Sequence, residues 1–132
     1  MTDNQNQTKA QVPARLLEYI EGELEMYPAY QAALEGLRRE QARVAADTGV
    51  TARVRMSALE DKLELNRLRL RRIEVGLGVL DPEEAELVRL RYCNGGETTN
   101  EQVMRELAMN RKRFYQLRGQ ALAKLAGMFG MG

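Results

Sequence analysis

Residues 98–126, TTNEQVMRELAMNRKRFYQLRGQALAKLA, decide how this chain is read. Thr98 or Thr99 caps a short helix, and Glu101 or Gln102 three residues on completes a capping box. Val103 and Leu107 give that helix an inward side. Ala108 and Met109 fill a turn, and Asn110 caps a second, longer helix. Phe114, Leu117, Ala121 and Leu125 then recur at spacings of 3, 4 and 4, which places them on one apolar face with Leu122 beside them. Arg111, Lys112, Tyr115, Gln116 and Gly119 fall on the other face. Short helix, tight turn and longer helix make up the layout of a helix-turn-helix.

The outward face carries chemistry suited to DNA. An arginine presents a fork that matches guanine, glutamine matches adenine, and both lysine and arginine neutralise phosphates. The plain alternative is a solvated basic face on an ordinary bundle helix, and spacing alone leaves the two readings level. Charge distribution gives direction. The whole chain has a net charge of +1. From Arg15 to Glu40 there are three basic and six acidic residues, whereas from Arg105 to Gly132 there are six basic and one acidic. An anionic partner approaches the C-terminal end.

Upstream, the pattern is helical throughout, and the expected fold class is all-α. Residues 1–12 are polar, lack apolar periodicity and read as a disordered tail. Residues 13–80 read as a helical packing and oligomerisation region. Pro13 suits a first helical turn, Leu16, Leu17, Ile20, Leu24 and Tyr27 follow at helical spacing, and Pro28 interrupts them. A second pattern runs from about Ala29 to Ala46, with Tyr30, Ala33, Leu34, Leu37 and Val44 on one side, and Asp47-Thr48-Gly49 ends it. Val50 to Met56, β-branched and basic, reads as a connector. Ser57 is the expected cap of a long helix to about Leu80.

That long helix holds Leu59, Leu63, Asn66, Leu70, Ile73, Leu77 and Leu80 in alternating steps of four and three, a coiled-coil-like seam. Asn66 is either at a wet edge or buried to set the register. Leu65, Leu68, Val75 and Val79 lie outside the seam and imply a second buried side. Gly76 and Gly78 suit a close helix crossing. Asp81-Pro82-Glu83-Glu84 is a strong helix start, with a cap, a proline at the first position and carboxylates at the positive end of the dipole. Ala85, Val88, Leu90 and Tyr92 carry its apolar side until Asn94-Gly95-Gly96 breaks it. The C-terminal unit is therefore residues 81–132.

Several classes are disfavoured. No apolar run nears the roughly 18 residues of a membrane span, and no signal-peptide pattern opens the chain. The chain has no histidine and one cysteine, Cys93, which reads as a helix-packing residue in a reducing cytosol. No metal cluster, cofactor motif or nucleophile–base pair is visible, so an enzyme is not expected. The Met128–Met131 tail reads as a terminus packed on the bundle.

LDPEEAELVRLRY followed by TTNEQVMRELAMNRKRFYQLRGQALAKLA resembles region four of bacterial sigma factors, where a helix ending in LRY precedes a helix-turn-helix closing on AL.KL. The whole chain is similar to phage late-gene regulators of the RinA/ArpU type. The likeness covers about residues 57–126, with only helicity and the pattern EL..Y (Glu23, Leu24, Tyr27) recurring over 13–46. It implies a transcription activator of packaging or lysis genes in the cytoplasm of a bacterial host. Carried over, it makes Asn110 the cap of the recognition helix. Arg111 and Lys112 meet bases and phosphates, and Tyr115 and Gln116 read bases one turn on. Arg113 and Arg118 support or contact phosphate, and Thr99 belongs to the same surface. Three departures, Met104, Ala108 and Phe114, imply a reshaped crossing between the two helices.

The expected partners are double-stranded DNA, RNA polymerase and a second copy joined through residues 13–80, with no membrane. The acidic surface near Glu18–Glu25 suits a basic protein partner. Two other readings are weighed beside this one. A small terminase subunit that recognises packaging sites would use the Leu59–Leu80 seam to build a ring. A helical module that binds only protein would have no salt-dependent DNA affinity.

Overall fold

The computed structural model describes residues 12–130, and these form six helices with no strand among them. The fold is all-α. Of the expected disordered tail, residues 1–11 lie outside the described residues, as do Met131 and Gly132; Val12 packs against the core.

Helix α1 spans Ala14–Glu25 and α2 spans Tyr27–Ala45. Pro28 sits in the first turn of α2, where its missing N–H removes no intrahelical bond. Only Met26 separates the two helices, and it keeps right-handed dihedrals of φ −78° and ψ −5°. Helix α3 is Val50–Val79, 30 residues long. The expected connector over Val50–Met56 is instead its first two turns, and Ser57 is an interior residue rather than the cap. Gly49 occupies the cap position and offers no side-chain bond. Packing overrides the weak helical propensity of the β-branched residues here. Ala52 and Met56 continue the 4–3 seam backwards from Leu59 and meet Val44 and Leu37 of α2.

All seven seam residues from Leu59 to Leu80 are buried, Asn66 included. Asn66 Nδ2 donates to the Tyr30 carbonyl oxygen of α2 at 2.8 Å. A buried amide without that bond would cost about 1–3 kcal/mol, so it favours one alignment of α2 on α3. The seam is thus filled within the chain by α2 and the C-terminal helices, leaving none of it for a ring between copies. The expected second buried side is not buried: Leu65, Leu68, Val75 and Val79 are 50, 56, 46 and 54% exposed. On α2, Ala33 also faces solvent, while Tyr30 and Val44 are buried.

Helix α4 spans Pro82–Tyr92. The Asp81 N–H donates to Glu84 Oε1 at 2.9 Å, and Lys124 Nζ donates to the same oxygen at 2.7 Å. Glu84 is therefore a buried capping carboxylate with its charge matched. Leu87, which the apolar spacing did not single out, joins Ala85, Val88 and Tyr92 in the core. Gly95 and Gly96 then take φ of +91° and +78°, which only glycine adopts freely.

Helix α5 spans Asn100–Glu106 and α6 spans Arg111–Phe129. Helix α6 runs past its expected end at Ala126, because Phe129 is buried against α3. A Cβ on Gly76 would lie 2.7 Å from Leu125 Cδ2 and 3.6 Å from Phe129 Cε1, so this glycine permits the close crossing. Gly78 has nothing within 4 Å and plays no such part. One hydrophobic cluster joins Ile20 and Leu24 of α1, Tyr30 of α2, Ile73 of α3, Val88 of α4, Val103 of α5 and Phe114 of α6. The core thus crosses the boundary at Leu80. A second, smaller cluster lies in the distal half of the α2–α3 hairpin.

Candidate nucleic-acid interface

Two side-chain caps and one strained residue fix the unit that presents the candidate surface. Thr99 Oγ1 accepts from the Gln102 N–H at 3.2 Å, and Gln102 Oε1 accepts from the Thr99 N–H at 2.7 Å. Asn110 Oδ1 accepts from the Arg113 N–H at 2.7 Å. Each cap satisfies an amide left orphaned at its helix start, an effect worth about 1 kcal/mol. Between them Ala108 has φ +54°, the one positive φ outside glycine among the described residues. Its N–H donates to Arg105 O, and the Met109 N–H donates to Met104 O. These two bonds are those of a Schellman motif, which requires a left-handed residue after the helix. Ala108 takes that conformation despite its Cβ.

Helix α6 has two distinct faces. Phe114, Leu117, Ala121, Leu122 and Leu125 are buried, while Arg111, Lys112, Tyr115, Gln116 and Gly119 are exposed. The start of α5 closes onto the outer face. Asn100 Nδ2 donates to the Tyr115 hydroxyl at 3.3 Å, and Asn100 Oδ1 accepts from Arg91 Nε. Arg111 lies over the Tyr115 ring at 5.9 Å and reaches Glu101 at 3.4 Å. Thr99, Asn100, Glu101, Arg111, Tyr115 and their neighbours therefore form one surface. Asn100 and Glu101 are additions to the expected set, since the sequence pattern marks that stretch only as a helix start. Lys112 and Gln116 have no side-chain partner among the described bonds. Arg113 pairs with Glu83 at 3.1 Å. The pairs made by Arg111 and Arg113 are solvent-exposed and worth roughly 0–1 kcal/mol, so neither guanidinium is tightly held.

Arg118 does not belong to this surface. Its Nε donates to the Tyr92 hydroxyl at 2.9 Å and its Nη2 to Glu21 Oε2 at 2.9 Å, while the Tyr92 hydroxyl donates to that same oxygen at 2.8 Å. This half-buried triangle ties α1, α4 and α6 together. Burial first, and then the bond to Glu21, push the Tyr92 hydroxyl up to about 12. Glu23 is likewise turned inward, to Tyr30 and Arg72. Much of the acidic side of α1 is thus spent inside the molecule rather than offered to a partner.

The chain matches no family model, no curated protein and no solved structure.

Among the described residues no three His, Cys, Asp or Glu side chains are grouped so as to hold a metal. Burial pushes the Cys93 thiol up to about 11, so it stays protonated and weakly reactive near neutrality. No helix among the described residues is long and apolar enough to cross a membrane.

Proposed function

We propose that this chain is a sequence-specific DNA-binding transcription regulator that inserts the N-terminal turns of α6 into the major groove. The observation that carries this reading is the division of α6 into a packed face and an outer face, with Arg111, Lys112, Tyr115 and Gln116 projecting beside the start of α5. The inner face is held by Phe114 and Leu117, so the outer side chains are presented from a rigid support. Arg111 and Gln116 supply donor sets for base edges, Lys112 a phosphate contact, and Tyr115 a flat face with a polar tip. Thr99 and Asn110 act by fixing the two helix starts. Arg113 supports the surface from its side, and Arg118 positions α6 from within.

The resemblance to sigma region four and to RinA/ArpU regulators gives the reading its biological form. The chain activates phage late packaging or lysis genes in the bacterial cytoplasm, with RNA polymerase as its protein partner. Binding to promoter fragments from upstream of such genes, measured at two salt concentrations, tests it. Arg111→Glu abolishes the specific complex at about 0.15 M salt without altering the melting temperature. Lys112→Ala weakens all duplexes alike and lowers the salt slope by about one phosphate. Retention of specific binding by Arg111→Glu overturns the assignment of α6. Absence of any salt-dependent DNA affinity in the parent protein overturns the function.

A further inference from the structure

Helix α3 carries a second heptad seam whose large apolar residues stay about half exposed or more, although Arg72 within it is held by α1 and lies over the Phe129 ring. Val54, Ala58, Leu65, Leu68, Val75 and Val79 share it, with Asp61 and Arg72 at the two remaining positions. The eight positions follow one another in unbroken steps of four and three. Each lies two residues beyond a member of the buried seam, about 200° around the helix, so the two seams face opposite ways. Val54 is 67% exposed, and the four other large apolar residues of the seam are about half exposed. Five of the nine large exposed hydrophobic residues described thus sit on one face of one helix. Near its C-terminal end, Tyr19 and Met128 line the same groove. A seam of about three and a half heptads is long enough for a two-stranded coil.

We infer that this face pairs with α3 of a second copy of the chain, antiparallel, about a two-fold axis at the midpoint between Asn66 and Arg67. The placement of charge selects this occupant and this direction. Around that midpoint Leu65 meets Leu68, Ala58 meets Val75 and Val54 meets Val79 of the other copy. Asp61 and Arg72 are equally far from it, so the seam's one acid meets its one base, twice. A parallel pair would set Asp61 against Asp61 and Arg72 against Arg72. On one flank Glu64 falls near Arg71 of the other copy, which favours the same alignment. On the other flank Lys62 falls near Arg69, whose guanidinium is already drawn over the Tyr30 ring. Arg72 makes its bonds to Tyr19 and Glu23 through Nη2 alone, and 32% of its side chain stays exposed. The same guanidinium lies over the Phe129 ring at 4.6 Å, so Asp61 of the other copy meets an arginine already held in place. The self-complementary patch is what a closed two-fold dimer requires. This inference does not rest on the DNA reading, and it is tested without DNA.

Sedimentation equilibrium of the full chain gives twice the 15.0 kDa protomer mass. Leu65→Asp with Leu68→Asp returns the mass to one protomer, with helicity retained because both positions face solvent. Asp61→Arg weakens the dimer at least tenfold. Direction is read by oxidative cross-linking in a Cys93→Ala background. Val54→Cys alone forms no 54–54 bridge, while Val54→Cys with Val79→Cys yields covalent dimers. The two sites are about 37 Å apart on one helix, so no bridge forms within a chain. A monomer at about 0.1 mM overturns the inference, because an ordinary dimer is already assembled at micromolar concentration. So does a 54–54 bridge, a ring of more than two chains, or a double-Asp variant that remains dimeric.

Discussion

The α5–turn–α6 unit and the distal half of the α2–α3 hairpin are both helix pairs, yet they are held in different ways. In the first, local chemistry marks every boundary: Thr99 and Gln102, the left-handed Ala108, and Asn110. In the second, Gly49 caps nothing with a side chain, and a small cluster of Leu37, Val44, Ala52, Met56 and Leu59 holds the helices together. The first pair is joined to the main core through Val103, Phe114 and Leu117; the second lies beyond it. The surface proposed to meet DNA is backed by the main core through the inner face of α6, whereas the distal hairpin rests on its own small cluster, where local opening is expected first.

Phe114→Ala has the largest expected effect on this contrast. Phe114 is fully buried at the junction of both C-terminal helices and the core, and its loss costs about 3–5 kcal/mol in chemical denaturation. Val44→Ala in the hairpin cluster costs less, about 1–2 kcal/mol, and raises hydrogen exchange in the distal turns ahead of the rest. If both variants unfold the molecule equally, the two regions are one cooperative unit.

Alkaline titration probes the triangle that fastens α1 to the C-terminal unit. Burial and the bond to Glu21 raise the Tyr92 hydroxyl to about 12 from 10 in the unfolded chain. The folded state holds its proton more tightly, so this contribution is complete below pH 10. It falls as pH rises from about 10 to 12, by on the order of 2 kcal/mol in all. Tyr92→Phe removes that share of the alkaline decline. A decline unchanged in the variant assigns it elsewhere.

The smallest effect concerns the turn between α5 and α6. Ala108→Gly relieves a left-handed alanine there and stabilises the protein by about 1 kcal/mol. Thermal melting that shows a loss instead would mean that the Ala108 methyl group itself contributes to the turn.

Legibility in the sequence follows the same division. The caps at Thr99 and Asn110, the inward face of α6 and the break at Asn94–Gly96 are set by residues within four positions of each other. Residue order places the Asn110 cap, the inward face and the break, and narrows the first cap to Thr98 or Thr99, of which the structure takes Thr99. The start of α3 is different. Its first two turns are helical because Ala52 and Met56 pack on α2, and no local signal announces that. The proposed site was legible in Arg111, Lys112, Tyr115 and Gln116, which lie on one face by periodicity alone. Asn100 and Glu101 were hidden, since they reach α6 only across the turn.

By itself, the sequence determined the presence and order of the C-terminal helices, the Asn110 cap and the amphipathic division of α6, because these depend on contacts one or two turns apart. The tertiary structure alone decided three things. Arg118 is turned inward because Glu21, 97 residues away, lies beside it. Asn66 is buried because the Tyr30 carbonyl oxygen stands opposite. Of two apolar seams set two residues apart on α3, one is filled and the other exposed. Periodicity places both on the helix; which face meets α2 and α6 is a matter of how the chain packs back on itself.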